Sequence, residues 1–406
     1  MILHDTVLHP RYSDYGIMLP ISASRSDKII GSFAADFYKN SRGSNYPYPG
    51  PVLDFAAAKK LLGITGPAID RQDLERVHSA EFTAQLYDRT PRGQGLSPLA
   101  RALLDTYELI DAEGKPHRYE PEKAVRDISE LFDNTLEQVS GTYLACRLAL
   151  AEGPGFCFFL GGGMHHARRD AGAGFCLLND IAVAAAKILS DTALCFYRKK
   201  KPRLVWVVDL DAHKGDGTAE LVQRARERGE LARSVRSAPD NAPCILTLSL
   251  HMARGWPLDE ETLATAQTGR APLVPSDIDT GIEEGEEAEY VPRLEAALGQ
   301  LETLSSGTRP DLVIVVDGAD PYEHDGLPSS APLKLSLEQC FRRDMLVYHY
   351  VTRRGIPSAW IMAGGYGERA WEPPANFLRN LRGSIETRAG EGIAFTGCGE
   401  SGGEGN

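Results

Sequence analysis

Three carboxylates and an imidazole, Asp209, Asp211, His213 and Asp216, fall within eight positions of this chain. A buried backbone tolerates that polar density only where something binds the groups. They follow the apolar run Leu204-Val205-Trp206-Val207-Val208, which has the length and β-branched content of a buried parallel strand. If the extended backbone persists to residue 213, period-two alternation turns Asp209, Asp211 and His213 to one face beyond the strand's carboxyl end. Carboxylates plus imidazole with no thiolate nearby suit a borderline divalent cation such as Zn²⁺ in an open, catalytic site. Gly215 and Gly217 then permit a tight turn into a helix starting near Thr218.

Four more apolar runs end in reactive side chains. Leu312 to Val316 leads into Asp317-Gly318-Ala319-Asp320, and Asp320 would complete a three-ligand set with Asp211 and His213, leaving a position for water and for a substrate oxygen. Phe156 to Leu160 empties into Gly161-Gly162-Gly163-Met164-His165-His166. Adjacent histidines diverge on a regular strand, so the glycines are needed if both rings are to face one site. Ile245 to Leu250 ends at His251, and Ser358 to Met362 ends at Gly364-Gly365-Tyr366-Gly367, where Tyr366 is a candidate donor to a developing oxyanion. Five strands thus deliver polar residues to one sheet edge, the edge where open α/β sheets bind ligands.

The elements that must position these groups read as alternating strands and helices: one large α/β domain over residues 1–387, with a mainly parallel central sheet and helices on both faces. Helical patterns run near 28–38, 71–87 (with His78 near the middle, as a structural histidine), 99–109, 124–150, 181–189 and 290–304. Asn179 or Asp180 is the expected N-cap of the fifth. The Gly-rich tail 388–406 is expected to be mobile, and Tyr46 to Pro51 and the acidic run Glu283 to Glu289 are read as a loop and a solvated helix start.

Composition narrows the function. A 406-residue chain with 42% hydrophobic content can bury a large core, and its net charge of −12 argues against a nucleic-acid partner. The tight basic run Arg198-Lys199-Lys200-Lys201 reads as a solvated loop. Seven cysteines without CxxC spacing read as buried thiols in a reducing compartment. No basic n-region with an apolar core opens the chain, and nowhere do eighteen apolar residues run together; a cytoplasmic location with no membrane contact is the expectation.

Taken together, the motifs resemble those of the histone deacetylase family, the zinc-dependent acyl-lysine and acetylpolyamine amidohydrolases of the arginase-deacetylase fold. The resemblance rests on Gly162 to Ala167, Gly174 to Asp180, Asp209 to Gly217, Ser249-Leu250-His251, Asp317 to Asp320 and Gly364-Gly365-Tyr366, all in the family's order, with a weaker match at Arg76 to Phe82. It implies one Zn²⁺ per chain on Asp211, His213 and Asp320, with replacement by Fe²⁺ in the cell left open. It further implies His166 as general base and then acid, supported by Asp216, His165 with Asp209 as an electrostatic partner, and Tyr366 as oxyanion donor. Gly174, Phe175, Trp256 and Gly365 would line a tunnel for an alkyl-amine stem, and Asp209, Asp211 and Ser249 would help hold K⁺. Two departures stand out: Leu19-Pro20-Ile21-Ser22-Ala23-Ser24-Arg25 occupies the place of the family's N-terminal His-Pro-Glu and Arg motif, and Trp256-Pro257-Leu258-Asp259-Glu260 stands where many members have Phe-Pro-Gly-Thr-Gly.

The expected activity is hydrolysis of the amide of an acylated amine, first N-acetyl-lysine in a protein or peptide, with an acetylated polyamine or other small amide as the alternative. A two-manganese ureohydrolase would need more acidic ligands, and a non-catalytic acyl-lysine-binding subunit would be expected to lack a ligand or Tyr366. Oligomeric state is left open.

Overall fold

Eight short segments form strands: β1 Ile2–Leu3, β2 Val52–Leu53, β3 Phe156–Phe159, β4 Leu204–Asp209, β5 Cys244–Met252, β6 Ile278–Ile282, β7 Leu312–Asp317 and β8 Ser358–Met362. The computed structural model of the chain describes residues 1–40, 52–93, 95–111, 114–151, 155–191, 194, 201–232, 243–259 and 273–390. All eight strands pair in parallel, in the order β2-β1-β3-β8-β7-β4-β5-β6. Unbroken apolar runs are needed here because both faces are covered. In β4, Val205 and Val207 enter one core, while Leu204, Trp206 and Val208 enter the other. Helices Glu130–Ala151 and Asp180–Ser190 cover the first face; Tyr290–Leu304, Leu337–Arg353 and Glu372–Gly390 cover the second. Trp206 anchors the second core with its indole N–H on Ser305 Oγ at 2.8 Å, and burying roughly 200 Å² at ~25 cal/mol per Å² makes it an anchor of about 5 kcal/mol. The architecture is the single α/β domain expected, with a wholly parallel sheet.

One consequence of this order positions the site. The strands β3, β8, β7, β4 and β5 are consecutive in the middle of the sheet, so the five polar strand ends named above lie side by side.

Several element boundaries differ from expectation, each for a local reason. The helix expected over 71–87 is two, Arg71–Glu75 and Ala80–Tyr87, and His78 lies in the break between them. Ser79 makes the break: its amide donates to Arg169 O at 2.9 Å and its hydroxyl caps Phe82 N at 3.3 Å. The helix expected from Ala124 begins at Glu130, because the amides of Val125 and Arg126 go to Asp14 O instead. Of the two expected caps, Asn179 is the one that serves the helix Asp180–Ser190, accepting from Ala182 N at 2.9 Å as anticipated. A final helix runs to Gly390, past the expected boundary at 387. The rest of the tail (391–406), Tyr46 to Pro51, Arg198 to Lys200, Glu260, Cys195 and Cys398 lie outside the described residues; the five described cysteines are buried free thiols. Among the described residues no helix is long and apolar enough to cross a membrane.

Candidate metal centre

Strand β4 stops at Asp209, so pleat alternation is not what gathers the acids. Turns do it instead: Asp209 Oδ1 accepts from Asp211 N at 3.2 Å, and Asp211 Oδ1 accepts from His213 N at 3.1 Å. Each carboxylate folds the chain back on the residue two places on. Asp320 joins from β7 and accepts from Ala212 N at 2.9 Å. The outcome is that Asp211, His213 and Asp320, all buried, bring ligand atoms within 4.8 Å of one another. His213 turns Nδ1 inward, 2.8 Å from Asp320 Oδ2 and 3.2 Å from Asp211 Oδ1.

The glycines serve approach rather than turning. Gly215 has φ −72°, and a Cβ there would lie 2.2 Å from Asp209 Oδ2. A Cβ on Gly217 would meet the His166 backbone at 2.5 Å, and one on Gly318 or Gly364 would meet Asp211 Oδ2 at 2.5 Å. The helix they lead into starts at Asp216, two residues before the position expected.

The donor set fits a divalent cation. Burial and then Asp211 push Asp320 up to about 7, while hydrogen bonds to Asp211 and Asp320 overcome burial and lift His213 to about 10. Two clustered carboxylates thus draw in positive charge, and two oxygens with one imidazole nitrogen suit zinc with a coordination position left open.

Beside this cluster sit the two histidines, their ring centroids 3.9 Å apart. Gly162 and Gly163, at φ +76° and +77°, turn the chain after β3, and the Asp180 carboxylate holds the turn through Gly163 N at 3.0 Å and Met164 N at 2.6 Å. Asn179 Nδ2 reaches His165 O and Ala167 O, both at 3.2 Å. The sequence marks this pair as a helix cap and as the end of the Gly174 to Asp180 motif; its grip on the histidine loop was not legible.

The rings have different environments. His165 Nδ1 is 2.7 Å from Asp209 Oδ2, and although burial opposes its charge, Asp209 and Asp211 raise it to about 9. His166 Nδ1 is 2.8 Å from Asp216 Oδ1, but Asp216 also accepts from Arg168 at 2.6 Å. Burial, and then the charge on His165, lower His166 to about 4. One imidazole is charged and its neighbour neutral at pH 7, the division of labour that a positioned base requires.

Tyr366 follows β8, two residues after the Gly364 that abuts Asp211 and Asp320. Burial, then Asp320 and Asp211, push its phenol up, which keeps the O–H a donor. Its ring lies 6.3 Å from Phe175, and Trp256 stands edge-on to His166 at 4.5 Å and to His213 at 5.9 Å. Gly174 makes room for that indole: a Cβ there would lie 2.4 Å from it. Gly365, where a Cβ would lie 2.8 Å from the Arg25 guanidinium, lines one cavity with Gly174 and Phe175. Asp209 and Ser249 are register partners across β4 and β5, and Ser249 Oγ is 2.9 Å from His251 Nδ1. One strand further on, Ser249 pairs with Asp279, which carries the buried Lys214 ammonium.

Arg25 is the residue the sequence did not reveal. Only 7% exposed, it donates to Ala363 O at 2.8 Å and Gly364 O at 3.1 Å. It lines a cavity of about 160 Å³ that also touches Met164, Phe175 and Tyr366. The one signal was its place at the end of the segment that replaces the N-terminal motif.

His78 is structural, as expected. Its Nδ1 donates to Arg168 O at 2.8 Å and its Nε2 accepts from Asn179 N at 3.1 Å, so the ring must be neutral. Burial lowers it to about 4 from 6.5. Because the folded value lies below the unfolded one, this contribution to stability is complete above pH 6.5 and is lost as pH falls toward 4. Unfolding free energies from urea titrations across that window are expected to fall less steeply in His78→Gln than in the wild type, by up to about 1.4 kcal/mol per pH unit. Parallel slopes would count against it.

The histone deacetylase domain model matches residues 51–376. An uncharacterized protein of Picosynechococcus sp. is 31% identical over 59% of this chain and 64% of its own length. Histone deacetylase 2 of Arabidopsis thaliana is 29% identical over 62% of this chain and 55% of its own, and the acetoin utilization protein AcuC of Bacillus subtilis 27% identical over 52% and 46%. The matches thus span less than two thirds of each of these relatives. Among solved structures, an acetylpolyamine aminohydrolase from Burkholderia pseudomallei shares the fold with a TM-score of 0.53 at 18% identity, over 94% of this chain and 98% of that one.

Proposed function

This chain belongs to the histone deacetylase domain family, and on that premise we propose that residues 1–387 hydrolyse the amide of an acylated amine, first an N-acetyl-lysine. The observation that carries the reading is the meeting of Asp211, His213 and Asp320 within 4.8 Å, beside a His166–Asp216 pair and Tyr366. Asp211, His213 and Asp320 would hold Zn²⁺, or Fe²⁺ in the cell. When bound, the ion would polarise the amide carbonyl and lower the pKa of water toward ~7.

The remaining work belongs to the side chains. An amide needs a base for the attacking water and an acid for the departing amine. Neutral His166, its Nδ1 held by Asp216, accepts the water proton at Nε2 and returns it to the amine nitrogen. His165, kept charged by Asp209, stabilises negative charge nearby. Tyr366 donates its O–H to the tetrahedral oxyanion. Phe175 and Trp256 wall the approach and exclude water, and Gly174 gives the stem clearance. The cavity behind Tyr366 offers the acyl side room and the Arg25 cation. Asp209, Asp211 and Ser249 would hold a potassium ion that steadies the β4 and β5 ends.

The test is metal analysis with an assay of lysine release from an acetyl-lysine peptide. About one zinc per chain is expected, with activity lost on chelation and restored by zinc; an undiminished rate in metal-free protein sinks the reading, and two metals per chain favour a ureohydrolase. A second reading, an acetylated polyamine, is favoured by Trp256, which packs on His166 and narrows the approach. It predicts a higher kcat/KM for an acetylated diamine than for the peptide.

A further inference from the structure

The loop 325–330 follows the strand end that delivers Asp320 and touches the site at two separate points. Ser329 Oγ lies 3.1 Å from His213 Nε2, on the far side of the ring whose Nδ1 faces Asp211 and Asp320. Four residues earlier, Asp325 Oδ2 accepts from Tyr366 N at 2.7 Å, and Gly326 N donates to Tyr366 O at 3.0 Å. The same Asp325 holds the loop closed, its Oδ1 accepting from Leu327 N and Ser330 Oγ, each at 2.8 Å. The resulting single turn, Pro328–Ser330, is what presents Ser329 to the histidine.

We propose that Ser329 is a positioning residue for His213, and that Asp325 couples this contact to Tyr366. The proposal rests on the reading of Asp211, His213 and Asp320 as a metal centre. An imidazole that gives Nδ1 to a cation keeps its proton on Nε2, and that N–H needs an acceptor to fix the tautomer and the plane of the ring. The Ser329 oxygen is at hydrogen-bond distance from that nitrogen. Without it the ring is free to tilt about its bond to the chain, and the nitrogen no longer points steadily at the shared locus. Asp325 touches neither His213 nor the carboxylates, yet it shapes the turn that carries Ser329 and fastens the backbone of Tyr366. One short loop thus sets the aim of a ligand and of the oxyanion donor together.

Zinc affinity of the full chain, measured by competition with a chromophoric chelator, tests this, with the absorption of the Co²⁺-loaded protein as a second readout. Ser329→Ala is expected to raise the zinc Kd by about 10–100-fold, the usual effect of removing a partner of a ligand histidine. Ser329→Thr, which restores a hydroxyl, is expected to recover most of that loss. Asp325→Ala is expected to raise the zinc Kd as well and, at saturating zinc, to lower kcat through Tyr366. A Ser329→Ala protein with the wild-type Kd and Co²⁺ spectrum overturns the role of Ser329. An Asp325→Ala protein with unchanged zinc affinity overturns the coupling. Failure of the wild type to take up zinc is a different result, and it sinks the metal reading together with the proposal.

Discussion

His166→Ala is expected to lower kcat by roughly 10²–10⁴-fold, the range for loss of a positioned general base, while leaving zinc uptake intact. Two bonds orient the ring, Nδ1 being committed to Asp216 while Arg168 shares the charge of Asp216, and burial with the neighbouring charge on His165 lowers it to about 4, which keeps it unprotonated at neutral pH. Above that value the ring is neutral and its second nitrogen can accept a proton. His165 cannot take over, although its ring is only 3.9 Å away. Asp209 and Asp211 lift it to about 9, so at neutral pH it already carries its proton. Steady-state rates on an ordinary acetyl-lysine amide and on an anilide with a better leaving group check the assignment. The anilide should suffer less, since its amine needs less help from an acid. A near-normal rate on both would remove His166 from the proton path.

Much of this site could be read because its parts terminate apolar strands. Asp211, His213 and Asp320 lie within a few residues of the buried segments that position them, and β4 and β7 declare themselves by continuous hydrophobicity. The geometry between them was less legible: alternation was the obvious device for gathering Asp209, Asp211 and His213, yet the work is done by carboxylates accepting amides two residues on. Nothing in the pattern of Leu19 to Arg25 announces that its last side chain crosses 338 positions to meet Ala363 O. Ser329 and Asp325 are equally silent, as ordinary turn residues whose partners lie elsewhere in the chain. The two-residue strands β1 and β2 are too short to carry a period, and β6, with Asp, Thr and Gly in its middle, lacks an apolar run. Long-range polar contacts and strands that are very short or polar are where local sequence carries least information.

Tyr366→Phe is expected to retain zinc and to lose about 10²–10³-fold in kcat, the range for removal of one oxyanion donor. The substitution removes a single oxygen. It keeps the ring that sits 6.3 Å from Phe175 and the backbone bonds to Asp325 and Gly326, so the fold and the loop 325–330 have no reason to change. The phenol is a donor at every working pH, because burial and the nearby Asp320 and Asp211 push its ionisation up. A donor aimed at charge that exists only in the transition state should affect kcat and kcat/KM equally and leave KM nearly unchanged. That signature separates it from a residue that merely grips the substrate, whose loss raises KM at constant kcat. Combining Tyr366→Phe with His166→Ala sharpens the distinction further. If the phenol stabilises the oxyanion that His166 helps to form, the losses in the double variant fall short of the product of the single ones, as expected for groups serving one transition state. Full multiplicative losses would mean that the two contribute independently of each other, and a wild-type rate in Tyr366→Phe would leave the oxyanion without its donor on this side of the site.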